Sequence, residues 1–304
     1  MTSNTAHLTT PDRDMRGVLL VFTAGVLWST VGLGIRLIED AQVWQILFYR
    51  SFSLSLLLYV VIRLRTGDSP LRLAFGMGLP GIIGGLSLVA AYTGGIYAVQ
   101  TTSVANAMLL FASAPFMAAI LGLVILRETV RHATWFAILV ACAGIGVMVW
   151  GKSGGSAMAG NLAALGSAFG FAVFTITLRW GKSGEMLPVV FLSGIFAIAI
   201  MGAICLILGL PLILSPHDTG IALSMGIFQV GAGLVLYTLG SKTVPAAELT
   251  LLSLAEVVLG PLWVWLFIGE VTTQNTLIGG AILLAAIIGN AVSGARRKPP
   301  VSLV

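Results

Sequence analysis

Two ionisable side chains stand inside long apolar runs of this chain: Glu256, in LLSLAEVVLG, and Arg50, in LFYRSFSL. A charge at the centre of a membrane-crossing helix costs about 2.5–3.5 kcal/mol on the insertion scale, so such residues are kept for a reason. Glu256 lies near the middle of its run. Its carboxyl either stays protonated and hydrogen-bonded between helices, or it faces a wet cavity and takes a substrate amine or a coupling proton. Arg50 lies seven residues beyond Val43. It reads first as a packing residue that snorkels part of the way outward or pairs with an acid. Glu128, Glu270 and Glu248 fall near run ends. Helix caps or gate-closing ion pairs, with neighbours such as Arg127, are the roles expected there.

Uncharged polar and aromatic residues supply the rest. Trp28, Ser29 and Thr30 set an aromatic ring beside two hydroxyls. Tyr92 and Tyr97 lie in the glycine-rich stretch GGLSLVAAYTGGIYAV, where close helix packing is available. Asn106 and Ser113 are seven residues apart, and Gln229, Gly233 and Tyr237 recur every four, each set on one helical face. Flat apolar walls with a few polar groups are what a pocket for an apolar or aromatic amino acid requires. Each residue singly is more simply an interfacial anchor or an interhelical hydrogen-bonding group. From the whole set, one or two contacts to substrate are expected.

The same inventory excludes other chemistry. No phosphate-binding loop is present, and His7, His132 and His217 lack metal-ligand spacing, so neither a cofactor nor a metal is expected. An intramembrane enzyme acting on a lipid-like substrate is the alternative. It would need an acid/base or nucleophile pair at matched depth, and Glu256 and Arg50 have no evident nucleophile beside them.

The elements that must hold these groups are membrane helices. The chain of 304 residues is 58% hydrophobic and 9% charged, with a mean hydropathy of +1.03. Soluble domains carry about 25% charged residues, and so few charges cannot cover a water-facing surface. A span needs about 20 apolar residues, which predicts ten: 17–37, 43–63, 73–98, 102–126, 132–151, 158–179, 187–209, 219–239, 244–268 and 272–293. Residues 1–16 form a polar cytoplasmic tail and 294–304 a basic one. The first run has no small-residue cleavage site and reads as a retained span. Cys142 and Cys205, each within an apolar run, read as small buried hydrophobes. With the N-terminus inside, 13 of the 16 Lys and Arg fall in inner segments, Arg36 and Lys152 fall outside, and Arg50 lies within a span. That bias orients the chain with both ends in the cytoplasm. It also places the net charge of +5 at the lipid surface rather than on a nucleic-acid-binding face.

The sequence echoes itself. GVLLVFTAGVLWSTVGLGIRL (17–37) is matched by GNLAALGSAFGFAVFTITLRW (160–180), with Arg36 and Arg179 143 residues apart. LVILRETV around Glu128 is matched 142 residues on by VWLFIGEVT around Glu270, and YAVQTTSVANA by YTLGSKTVPAAE. Two halves, 17–151 and 152–293, follow. Five spans in each force the second copy to enter the membrane upside down, an arrangement common among secondary transporters.

Four stretches carry a family resemblance: LWSTVGLGIRL (27–37), FYRSFSLSLLL (48–58), TTSVANAMLLFASAPFMAAILGLVILRETV (101–130) and VPAAELTLLSLAEVVLGPLWVWLFIGEVTT (244–273). Together they resemble the ten-helix EamA branch of the drug/metabolite transporter superfamily, over nearly the whole chain. The first span is similar to that of the aromatic and neutral amino-acid exporters. The chain departs from the commoner pattern in Arg36, where many members carry Lys, and in Ala-Glu-Val at 255–257, where the fourth span has Ala-Pro-Phe. The resemblance implies an all-α bundle of two inverted five-helix repeats in a bacterial cytoplasmic membrane. It implies export of amino acids, or of drugs or other small metabolites, by alternating access, and a monomer or weak homo-oligomer. The family's Arg at position 50 fits a role in helix packing.

Overall fold

Lipid offers no hydrogen bonds, so a chain this apolar must satisfy its backbone internally, and helices do so within one segment. The computed structural model describes residues 15–150, 155–181, 186–244 and 246–295, and among these no strand occurs. The first half comprises α1 (Met15–Ser29), α2 (Val31–Leu37), α3 (Val43–Thr66), α4 (Pro70–Gly76), α5 (Gly78–Thr101), α6 (Val104–Phe111), α7 (Ala114–Leu126) and α8 (His132–Val149). The second comprises α9 (Gly155–Trp180), α10 (Leu187–Ile207), α11 (Pro216–Ser224), a π-helical segment (Met225–Ala232), α12 (Gly233–Gly240), α13 (Ala246–Ile268) and α14 (Gln274–Ala295). Among the described residues nine segments are long and apolar enough to cross a membrane, and α13 adds the shorter apolar stretch Leu254–Ile268. Each of the ten spans read from the sequence overlaps one of these segments. Lys152, Lys182 and the basic residues at 13 and 296–298, used for orientation, lie outside the described residues.

Several spans are interrupted, each for a local reason. Between α1 and α2 the Ser29 and Thr30 hydroxyls donate to the carbonyls of Val26 (2.6 Å) and Leu27 (2.7 Å), competing with the regular helical ladder. The third span begins at Gly78 rather than at residue 73. Gly78 takes a φ of +61°, a left-handed turn that separates α4 from α5. Between α6 and α7 the chain turns at Ala112 and Ser113, and Pro115 sits in the first turn of α7, where its missing N–H costs nothing. Pro80 is likewise in the first turn of α5. Pro261 alone of the three lies within a helix, α13.

The packing is reciprocal between the halves. The first span packs on α12 and α13, the eighth and ninth spans; α9, the sixth span, packs on α5 and on α6–α7, the third and fourth. The remaining large interfaces join equivalents: α3 with α10, second with seventh, and α8 with α14, fifth with tenth. Glycines permit the closest of these approaches. At Gly144 and Gly279 each backbone lies against the other's carbonyl, leaving no room for a Cβ. The apolar interior includes Ile46, Leu47, Leu110 and Leu283 in one cluster and Leu54, Leu58 and Leu192 in another. Phe136, Trp150, Ile207 and Phe267 point outward, as lipid-facing side chains do. Cys205 is buried, but Cys142 is exposed on α8 and so belongs to the outer face, contrary to the sequence expectation. Polarity is what a sequence run encodes. Which side of an apolar helix meets lipid is set by its neighbours.

Candidate functional site

Each half contributes an arginine at the end of its first span and a glutamate just past its fourth. Both glutamates are placed the same way. α7 ends at Arg127 (φ +56°) and α13 at Gly269 (φ +74°), left-handed residues that close the helix. The next amides, of Glu128 and Glu270, donate back to the carbonyls of Gly122 (3.2 Å) and Val264 (3.4 Å). The partners then cross between halves. Arg36 Nε donates to Glu270 Oε2 at 2.8 Å, and Arg179 pairs with Glu128. The expected local partner of Glu128, Arg127, is not the one it takes: the left-handed turn sends the two neighbours apart and Arg179 of the other half fills the place.

The pairs differ in their surroundings. Arg36 also donates to the Thr102 carbonyl (2.8 Å), and Glu270 Oε1 accepts the Val104 amide (2.8 Å), so the 36–270 pair is knitted to the α5–α6 turn. Its side chains are 26% and 21% exposed, against 50% and 41% for Arg179 and Glu128. Another link belongs to the same end of the bundle as Arg36. Asp218 Oδ1 accepts the Glu39 amide (3.0 Å), and Oδ2 accepts those of Asp40 and Ala41 (both 3.1 Å), clasping the α2–α3 turn to α11. Asp218 is buried, and its own amide is held by the N-cap Ser215.

Within the bundle, the face of the eighth span carrying Gln229, Gly233 and Tyr237 turns toward the first span, as the four-residue spacing predicts. Gly233 lies against the Trp28 indole, where any side chain would overlap it, and the Trp28 and Tyr237 rings are 5.3 Å apart between centroids. One turn from Trp28, Gly25 packs against the Leu252 carbonyl and the Glu256 amide. This sets the carboxyl-bearing turn of α13 beside α1. Glu256 is half-buried and makes no hydrogen bond or ion pair with the described residues. Ser29 accepts from the Trp263 indole N–H at 2.8 Å, one of several links the sequence did not single out.

A cleft of about 240 Å³ opens between the first span and the π-helical segment, lined by Thr30, Gly34, Ser224, Met225, Phe228 and Gln229 among others. Gln229 is 4% exposed, and both its amide atoms lack a hydrogen-bond partner among the described residues. A buried amide left unpaired costs about 1–3 kcal/mol. Widened π turns recur where proteins bind or react. Arg50 is 5% exposed, so it does not snorkel to the surface, and no carboxylate among the described residues lies within ion-pairing distance. Its guanidinium stands over the Tyr92 ring, 4.6 Å from the centroid.

The other candidates lie elsewhere. Asn106 is fully buried at a three-helix junction: its amide donates to Asn161 of α9 and weakly to Thr102 (3.4 Å), and it accepts from Thr276 of α14 (3.2 Å). Ser113 donates to the Leu110 carbonyl (2.7 Å), and the helix break at Ala112 removes it from the face of Asn106. Tyr97 is 39% exposed on the outside of α5. Sequence reasoning missed the clasp at Asp218. It noted Arg36 and Arg179 only as marks of the repeat, although their matched spacing with Glu128 and Glu270 was the signal for the two pairs.

The fold has relatives. A solved crystal structure of 21% identity superposes with a TM-score of 0.64, covering 92% of this chain and 99% of its own. In sequence, the uncharacterized transporter YwfM of Bacillus subtilis (strain 168) is 29% identical over 205 residues, 66% of this chain and 68% of its own. The pseudopaline exporter CntI of Pseudomonas aeruginosa (strain UCBPP-PA14) is 26% identical over 281 residues, 90% and 94% of the two chains. The profile of the EamA-like transporter family matches twice, at residues 15–150 and again at 158–292. With both halves matched, this multi-pass membrane protein belongs to the EamA-like transporter family.

Proposed function

We propose that the protein is a secondary exporter of amino acids or similar small metabolites, working by alternating access between two five-helix halves inserted in opposite senses. The observation that carries this reading is the pair of cross-half ion bridges, Arg36–Glu270 and Arg179–Glu128, built on equivalent positions of the two halves. If the second half is inverted, equivalent positions lie at opposite membrane faces. One bridge then fastens the halves outside and the other inside. Reciprocal helix packing and the doubled family match support the same symmetry. A solute needs one face open while the other is closed, and two like latches on opposite faces supply that alternation.

The path between the latches is lined by the groups that the first span shares with the eighth and ninth: Trp28, Thr30, Gln229, Tyr237 and Glu256. The ring pair offers flat apolar walls, Gln229 an unpaired donor and acceptor, and Glu256 a carboxyl that takes an amine or a coupling proton. The site of action is the cytoplasmic membrane, with both chain ends in the cytoplasm. The outward sense of transport rests on the likeness to an exporter. The test is counterflow into proteoliposomes across a panel of amino acids, amines and other small metabolites. Saturable flux of at least one class, abolished when the halves are cross-linked, is the expected result; no flux of any class overturns the reading.

A further inference from the structure

Among the described residues Arg50 is a cation without a counter-ion. It is the eighth residue of α3, about 10 Å below the end of that helix at Val43. None of the five N–H donors of its guanidinium is given to a described residue. The residue is only 5% exposed, so water can reach little of that charge. The Tyr92 ring beneath it offers a π face to the charge, and the phenol hydroxyl, like the guanidinium, has no hydrogen-bond partner among the described residues. Tyr92 packs against both apolar clusters. Packing alone explains the stacked ring. It does not explain a buried positive charge whose donors no described residue takes.

We propose that Arg50 and Tyr92 form an anion subsite that receives the carboxylate of the transported solute. The proposal rests on the transporter reading and narrows it to solutes bearing a carboxylate. The planar guanidinium fork matches the two oxygens of a carboxylate, and the hydroxyl adds a third donor. The charge left unpaired by the protein is then paired by the cargo, and a solute without that charge is rejected because the guanidinium stays unsatisfied. An amide or amine analogue of the same size leaves the fork empty.

The experiment uses the full chain, purified and reconstituted, with a matched set: phenylalanine, 3-phenylpropionate, phenylalaninamide and phenethylamine, and the same four forms on a leucine skeleton. Thermal unfolding of the purified protein reads binding without turnover, and counterflow reads transport. The carboxylate-bearing members are expected to raise the melting temperature and to exchange at least tenfold faster than the amides and amines. Arg50→Gln should erase that selectivity, Arg50→Lys should restore part of it, and Tyr92→Phe should cost a severalfold loss confined to carboxylates. Should Arg50→Gln fail to fold, wild-type selectivity and Arg50→Lys decide. Wild type that ignores the carboxylate in both assays, or Arg50→Gln with unchanged selectivity, overturns the subsite and returns Arg50 to helix packing. Stabilisation by carboxylates with no flux of any compound overturns the transporter reading and leaves the subsite standing.

Discussion

The Arg36 guanidinium and the Glu270 carboxylate meet at 2.8 Å across 234 residues of sequence, and Arg179 and Glu128 repeat the arrangement with the halves exchanged. A bridge between two halves is informative about motion, because it must break if they separate. The first is half-buried and tied to two backbone groups; the second is open to solvent. Their energies should differ accordingly. In double-mutant cycles with Arg36→Gln and Glu270→Gln, read by thermal unfolding, a coupling above about 1 kcal/mol is expected. The Arg179→Gln and Glu128→Gln cycle should stay below about 1 kcal/mol. Equal couplings would show that the two latches are not graded as their burial implies.

Asn106, a candidate pocket residue by sequence, has three side-chain partners at a junction of helices, which favours a packing role. Asn106→Leu leaves the buried side-chain carbonyl of Asn161 unpaired, while Thr276 keeps its bond to Thr273 (2.9 Å), and should cost about 1–3 kcal/mol of stability. The substrate preference of the folded fraction should be unchanged. A stable variant with altered preference returns Asn106 to the binding site.

The Asp218 clasp predicts a local effect. In Asp218→Ala the amides of residues 39–41 lose their acceptors, and their hydrogen exchange should quicken by tenfold or more while α3 stays protected. Unaltered exchange there would mean that the turn holds itself.

Glu256 has no partner among the described residues, so its charge should follow the medium that reaches it. If it carries a coupling proton, wild-type flux varies between about pH 5 and 8, and Glu256→Gln, which is neutral throughout, flattens that profile. An unaltered profile in the variant removes Glu256 from the mechanism.

Most of the fold was legible because a membrane span is a long signal: twenty apolar residues can hardly be mistaken, and ten of them fixed the class. The repeat was legible because Arg36 and Glu128 return at nearly one offset. Contacts were harder. A helix that is apolar all round does not declare which face meets lipid, which is why Cys142, expected inside, is exposed on α8. Local backbone breaks also escaped the pattern: the turn at Ala112 splits Asn106 from Ser113, and Gly78 delays the third span. Gln229 with Tyr237 was read correctly in spacing, since both do face the first span. The pairing of Arg50 with an acid was not met among the described residues, where the guanidinium stands over the Tyr92 ring instead.

The opposed orientation of the halves underlies everything said about transport, and cysteine labelling from the two sides of the membrane tests it most directly. With Cys142 and Cys205 replaced, Lys152→Cys should react with an impermeant maleimide in intact cells, and Lys182→Cys only after the membrane is opened. Labelling of both from the same side would contradict the inverted arrangement, and the two-latch account with it.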